Sequence, residues 1–187
     1  MSSARRLFLL AFCFAPACSA PPERQNGAGW LEAHWTGADT GKMAASMTAE
    51  WCDVRRALEI RGVAGDTGLG LVLYPVDSIG ADSYRIVLPE GADTLPPAAA
   101  IALRVFSPNT IQGYQGDSGT VALERREDGV LSGVFEARAR SVVNGQIVTV
   151  TGKVGDLTIV PQKRGCGLSS PPDSAGTNAE LSGADVD

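Results

Sequence analysis

The chain has 187 residues, of which 44% are hydrophobic and 6% aromatic, and its formal net charge at pH 7 is −5. This length fits one domain with some chain left for flanking segments. Lys and Arg are not clustered in any segment, which argues against nucleic acid as a partner and against an electrostatic hold on anionic lipid.

Residues 1–17 have the order of a secretory signal peptide. Arg5 and Arg6 precede an apolar run at 7–17, and a charged start followed by a short apolar stretch is typical of export signals. A membrane-spanning helix needs roughly 20 apolar residues, and this run is clearly shorter. The sequence therefore predicts a signal peptide and not a permanent membrane helix.

The end of this segment, Ala15-Pro16-Ala17-Cys18, resembles the lipobox of bacterial lipoproteins, in which a small residue precedes a cysteine that receives lipid. The resemblance implies lipidation of Cys18 and a membrane anchor for the mature chain. Because Ser19 and not aspartate follows the cysteine, it also implies the outer membrane. Ordinary signal-peptidase cleavage after Ala20 is the alternative, and it would give a secreted or periplasmic soluble protein.

Three further segments follow the signal peptide. Residues 18–29 are polar with a Pro pair, which predicts a lipidated cysteine and a short tether. A single β-domain is expected at 30–166. Residues 167–187 are rich in Ser, Pro, Gly and acidic side chains with little apolar surface, so a disordered acidic tail is predicted.

Apolar residues alternate with small or polar ones through the domain, most clearly at 43–51, which is the pattern of a half-buried strand. The same pattern predicts strands at 57–63, 68–74, 84–88, 100–106, 120–125, 131–140, 146–154 and 157–160. Asp128-Gly129 and Asn144-Gly145 indicate tight hairpins. Eight or nine short strands predict an all-β fold. An antiparallel β-sandwich is the first choice, and a small closed β-barrel is the alternative.

Residues 119–154 contain the pieces Gly-Thr-Val-Ala-Leu, Leu-Ser-Gly-Val-Phe-Glu-Ala and Val-Thr-Val-Thr-Gly-Lys-Val. These pieces resemble a hairpin pattern found in uncharacterised bacterial lipoproteins, over about a fifth of the chain. The resemblance implies a β-rich surface or periplasmic lipoprotein and carries no functional residues with it.

Two cysteines remain for the domain, since Cys13 lies in the signal and Cys18 is the predicted lipid site. Cys52 and Cys166 stand near its two ends, and outside the cytoplasm they predict a disulfide if the strands that precede them are neighbours. Closing so long a loop contributes about 4–5 kcal/mol on the chain-entropy account. Two free thiols are the alternative. A metal site would need more ligands than the single His34 supplies.

Two motifs are similar to protease segments. Gly116-Asp117-Ser118-Gly119 is similar to the nucleophile segment of trypsin-like serine proteases, and residues 48–52 are similar to their histidine segment. Trp51 takes the place of that histidine, and a serine without a positioned base is a weak nucleophile. The segment is therefore interpreted as a polar β-turn before strand 120–125.

Asp39-Thr40-Gly41 and Asp66-Thr67-Gly68 resemble aspartic protease loops, but they are interpreted as turns.

Trp30, His34 and Trp35 form the candidate ligand platform, because aromatic faces stack on sugars, although both Trp side chains could instead anchor the core. No catalytic set, metal site or cofactor motif is expected. The sequence predicts an envelope lipoprotein whose β-domain is a non-enzymatic binding or interaction module for a protein or carbohydrate ligand. A secreted hydrolase that uses His34 or an acidic pair is one alternative, and a structural envelope component is another.

Overall fold

The computed structural model describes residues 29–127 and 130–161. The predicted signal peptide, the lipid site Cys18, the tether, Cys166 and the acidic tail lie outside the described residues. Ten strands and one short 3-10 helix form in the described ranges: β1 (Gly29–Gly37), β2 (Gly41–Cys52), β3 (Ala57–Ala64), β4 (Thr67–Tyr74), β5 (Ser83–Ile86), the helix (Pro89–Thr94), β6 (Ala98–Ser107), β7 (Thr110–Arg125), β8 (Leu131–Ser141), β9 (Ile147–Leu157) and β10 (Ile159–Pro161). No helix in these ranges is both long and apolar enough to cross a membrane.

The sheet closes on itself through β1, which pairs antiparallel with β2 on one side and with β9 on the other. The strand order β1-β9-β8-β7-β5-β6-β4-β3-β2 then returns to β1, which makes a nine-strand barrel. The short strand β5 is inserted between β6 and β7, and β10 adds to β2 in the parallel direction. The all-β prediction is confirmed. The architecture is the closed barrel given as the alternative, and the preferred sandwich is wrong because a single continuous sheet wraps around one core.

Each predicted strand overlaps an observed one, but β7 begins ten residues earlier than predicted, and two segments differ in kind from the prediction. Strand β1 has no counterpart in the prediction. The segment Gly116-Asp117-Ser118-Gly119, interpreted as a turn, lies inside the long strand β7, where it pairs with β8 across a β-bulge at Asp117. A bulge accepts one unpaired residue without ending the strand, which is why turn-forming residues occur here in the middle of a strand.

Inward-pointing side chains fill the barrel, so its interior is a packed core. Leu31, Leu58, Ile60, Val121 and Val150 are fully buried in it. Alternate residues of the same strands point outward. On one side of the barrel, Ala92 of the 3-10 helix covers outward residues of three strands. Together these residues form a second, smaller apolar cluster of Ala57, Tyr74, Ala92 and Ala100. On the opposite side the outward residues of β7, β8, β9 and β1 form an open surface.

Candidate functional site

The candidate site is an open groove of about 450 Å³ on the outer surface of the barrel, across β1, β9, β8 and β7. We call it the outer groove. Its first row of side chains crosses the four strands in register and consists of Glu32, Lys153, Val134 and Ala122. Adjacent strands lie about 4.8 Å apart, so this row extends about 14 Å across the sheet. Glu32 and Lys153 place opposite charges at one end, and Val134, which is 52% exposed, lies toward the apolar end.

The second row lies two residues further along each strand and is more polar. His34, Thr151, Glu136 and Thr120 are cross-strand neighbours in that order, and all four line the groove. Because alternate residues share one face of a strand, the two rows are about 7 Å apart. The groove thus brings together an imidazole, two carboxylates, an ammonium group and two hydroxyls.

The four ionisable side chains of the outer groove are not used by the fold. The side chains of Glu32, His34, Glu136 and Lys153 form no hydrogen bond or ion pair with any other described residue. Charged side chains that face solvent and lie close together on a concave surface can exchange their hydrogen bonds to water for hydrogen bonds to a ligand, without breaking any within the protein. The groove is therefore chemically suited to holding a polar molecule.

Of the three predicted platform residues, His34 lines the outer groove, Trp30 lies outside its lining on the same face of β1, and Trp35 is on the opposite face. Trp30 and His34 point outward from β1, and the Trp30 indole covers Gly155, where an added Cβ would lie 2.3 Å from Trp30 Cε2. Trp35 points inward, is 4% exposed and packs over Gly41. It belongs to the core and is on the opposite face of β1 from His34.

No protein-family model, curated protein or solved structure matches the chain.

The protease-like segment forms an ion-pair cluster beside the groove. Asp117 accepts a hydrogen bond from Arg138 and one from the Ser118 hydroxyl at 3.0 Å, and Arg140 Nε lies 3.6 Å from its Oδ2. Partial burial on its own raises the pKa of Asp117, but the hydrogen bonds from Arg138 and Ser118 and the charges of Arg138 and Arg140 outweigh it and lower the pKa. Ser118 and His34 lie on β7 and β1, about 14 Å apart across the sheet, so they cannot act as nucleophile and base on one another.

A second charged cluster, on the other side of the barrel, consists of one buried carboxylate and two arginines whose side chains reach solvent. Glu59 on β3 is 3% exposed, accepts a hydrogen bond from Arg61, and its Oε1 lies 3.6 Å from Arg55 Nη1. Arg55 also donates to the Tyr74 hydroxyl. Burial raises the pKa of Tyr74, and the negative charges of Asp93 and Glu59 add to this effect, against the opposing charge of Arg55. Arg55 and Arg61 together offset the negative charge of the buried Glu59 carboxylate, which is typical of a structural role.

Among the described residues, no group of three or more His, Cys, Asp or Glu side chains could hold a metal ion. Cys52, one half of the predicted disulfide, is fully buried at the end of β2. β10 runs parallel to β2 with Pro161 beside Trp51, so the expected adjacency of the strands that precede Cys52 and Cys166 is confirmed. The bond itself stays a prediction, since Cys166 lies outside the described residues.

Of the polar residues that line the outer groove, the sequence analysis named His34 and did not single out Glu32, Glu136, Thr151 or Lys153. The only sequence signal for these four is their outward place in the alternation of β1, β8 and β9. That pattern gives the face of each residue and not its neighbours on other strands.

Proposed function

We propose that the chain is a lipid-tethered protein of the bacterial cell envelope, and that its barrel is a non-enzymatic binding module with the outer groove as its ligand site. The observation that carries the binding role is that the outer groove collects Glu32, His34, Glu136 and Lys153 without pairing any of them with a described residue. Its volume is in the range of small-ligand clefts, roughly 300–1,000 Å³.

The barrel supplies a rigid support for such a site. Every strand under the groove is paired on both sides, and the described interior is filled with apolar side chains. Sites on strands hold their side chains more precisely than sites on loops. A ligand is therefore recognised on the outer surface of the barrel, with little rearrangement of the backbone.

The tether limits where the ligand is found. Residues 18–28 begin with the cysteine of the lipobox-like Ala15-Pro16-Ala17-Cys18 and precede β1, the strand that carries Glu32 and His34. Fully extended, they reach at most about 40 Å. A chain anchored through a lipid on Cys18 would thus hold the outer groove close to the membrane, and its ligand is an envelope component or a molecule that passes through the envelope.

The proposal is tested with the mature chain from residue 18 carrying Cys18→Ser, labelled with ¹⁵N and screened against small saccharides and short peptides. A true ligand should shift amide resonances in β1, β9, β8 and β7. Lys153→Ala and Glu136→Gln should weaken that binding by about tenfold each, a loss of about 1.4 kcal/mol. Arg104→Ala on β6, an exposed site outside the groove, is the matched control and should bind normally. Ligands that shift only resonances away from these strands would refute the groove as the site.

A hydrolase is the second candidate, because the outer groove brings His34 together with Glu32 and Glu136. General acid–base catalysis needs such groups around one ligand. The same samples separate the two functions. A hydrolase would release product resonances over hours, and His34→Ala or Glu136→Gln would abolish their appearance. A binding module would return the ligand intact.

A further inference from the structure

The strands beneath the outer groove offer no free edge. β1 pairs with β2 and β9, β8 pairs with β9 and β7, and β7 pairs on its other side with β5 and β6. A peptide that adds as an extra strand needs unpaired backbone N–H and C=O groups along an edge. Recognition in the groove is thus left to side chains, which disfavours an extended peptide as the occupant.

The charges of the groove are nearly balanced. Glu32 and Glu136 carry negative charge, Lys153 carries positive charge, and Thr120 and Thr151 add hydroxyls that both donate and accept hydrogen bonds. A small net negative charge disfavours phosphates and acidic polymers, and the positive charge of Lys153 beside Glu32 disfavours a polycation. A ligand with many neutral hydroxyls, each both donor and acceptor, matches this lining best.

An aromatic surface lies next to this polar lining. Trp30 is on the outward face of β1, two residues from Glu32, and its ring lies over Gly155. With one side of the indole against the sheet and the side chain still partly exposed, an outer part of the ring is left for contact. The face of an aromatic ring is electron-rich and attracts weakly positive C–H groups, and one side of a pyranose ring presents a set of such groups. The distance from Trp30 to the first row, about 7 Å along β1, joins the ring to the polar groups.

From these three features we infer that the ligand of the outer groove is a short neutral oligosaccharide, with one sugar ring on Trp30 and the hydroxyls of the next rings bound by the two rows. The inference rests on the proposed function, since it names the ligand class of the same site.

The probes are three neutral trisaccharides (maltotriose, cellotriose and N,N′,N″-triacetylchitotriose), an anionic one (trigalacturonic acid) and the peptide trilysine. Each is titrated into the labelled Cys18→Ser chain, and tryptophan emission and amide shifts are followed. At least one neutral trisaccharide should shift amides of both rows and change the emission. Trp30→Ala should weaken it by roughly 3- to 10-fold, and Trp30→Phe, which keeps an aromatic face, by less. A dispersed amide spectrum and cooperative thermal unfolding of both variants serve as the folding control.

The outcomes separate the two proposals. Amide shifts in the outer groove with trilysine or trigalacturonic acid, and none with the neutral sugars, would overturn the ligand class and leave the groove as a binding site. Neutral sugars that bind with equal strength to Trp30→Ala would also overturn the inference. If no probe shifts any groove resonance, the ligand class and the proposed site both fail for these ligands.

Discussion

Gly152 on β9 lies beneath the outer groove, paired with Ala33 of β1 and Phe135 of β8. A Cβ added at this position would lie 2.3 Å from the backbone oxygen of Glu32 and 2.3 Å from Phe135 Cζ. The Phe135 ring can turn by a small amount in a packed core, but the Glu32 carbonyl belongs to the β1–β9 pairing and cannot move without disturbing it. Gly152→Ala should therefore destabilise the barrel by about 1–3 kcal/mol, the usual cost of overpacking.

For a domain of this size, 1 kcal/mol corresponds to about 4 °C in Tm, so thermal unfolding followed by circular dichroism should show a decrease of about 4–12 °C. Gly70→Ala on β4 is the matched control, because the nearest atom to its added Cβ is the Ile60 backbone oxygen at 4.0 Å, which is ordinary contact. Its Tm should stay the same or rise slightly, since alanine lowers the entropy of the unfolded chain. Equal Tm values for Gly152→Ala and Gly70→Ala would refute the close packing of β9 against β1 and β8.

Three other predictions concern the anchor, the cysteines and pH. Mass spectrometry of the membrane fraction should find a diacylglyceryl group on Cys18, and a mature N-terminus at Pro21 would contradict this. Non-reducing peptide mapping should recover a Cys52–Cys166 pair, and reduction should lower the free energy of unfolding by about 2–5 kcal/mol, whereas complete alkylation of both thiols without reductant would disprove the bond. The pKa of Asp117 is lowered from its ordinary value of 3.8, so its ionised form stabilises the fold above that pH and the stabilisation is lost as the pH falls through the lowered pKa. Asp117→Asn should therefore lose less stability between neutral pH and the acid range than the natural chain, and parallel urea titrations of the two should show the difference.

Alternation predicted nine of the ten strands, and the missing one decided the architecture. In β1 the inward residues Leu31, Ala33 and Trp35 alternate with Glu32 and His34. Trp30 places a large apolar side chain at an outward position, and small Ala33 contributes little to the apolar face, so the pattern is weak. Without β1, nothing connects β2 to β9, and the remaining strands are expected to pack as two separate sheets. With β1 in place, the sheet closes into a barrel, and a second sheet is not required to cover its apolar face.

The register of the barrel explains why the outer groove could not be read from the sequence. His34 and Glu136 lie far apart in the chain. They line the same groove only because Thr151 of β9 lies between them and pairs with both. A shift of one residue in either pairing would turn a whole strand's outward residues inward. The alternation of polar and apolar residues therefore identifies which residues point outward. Which of them are neighbours on the barrel surface depends on the pairing of four strands.

The bulge at Asp117 shows how closely the groove depends on that register. Before the bulge Gly116 faces the core, where an added Cβ would lie 2.2 Å from Ile101 Cγ2, and after it Val121 is the fully buried residue. The inward positions thus change from even to odd numbers across one extra residue, as a bulge requires. This change keeps both halves of β7 apolar toward the core and turns Thr120 outward beside Glu136. The segment that resembles a protease nucleophile therefore sets the face of the strand that completes the outer groove, and its Asp117 is held in place by Arg138 and Arg140 of β8.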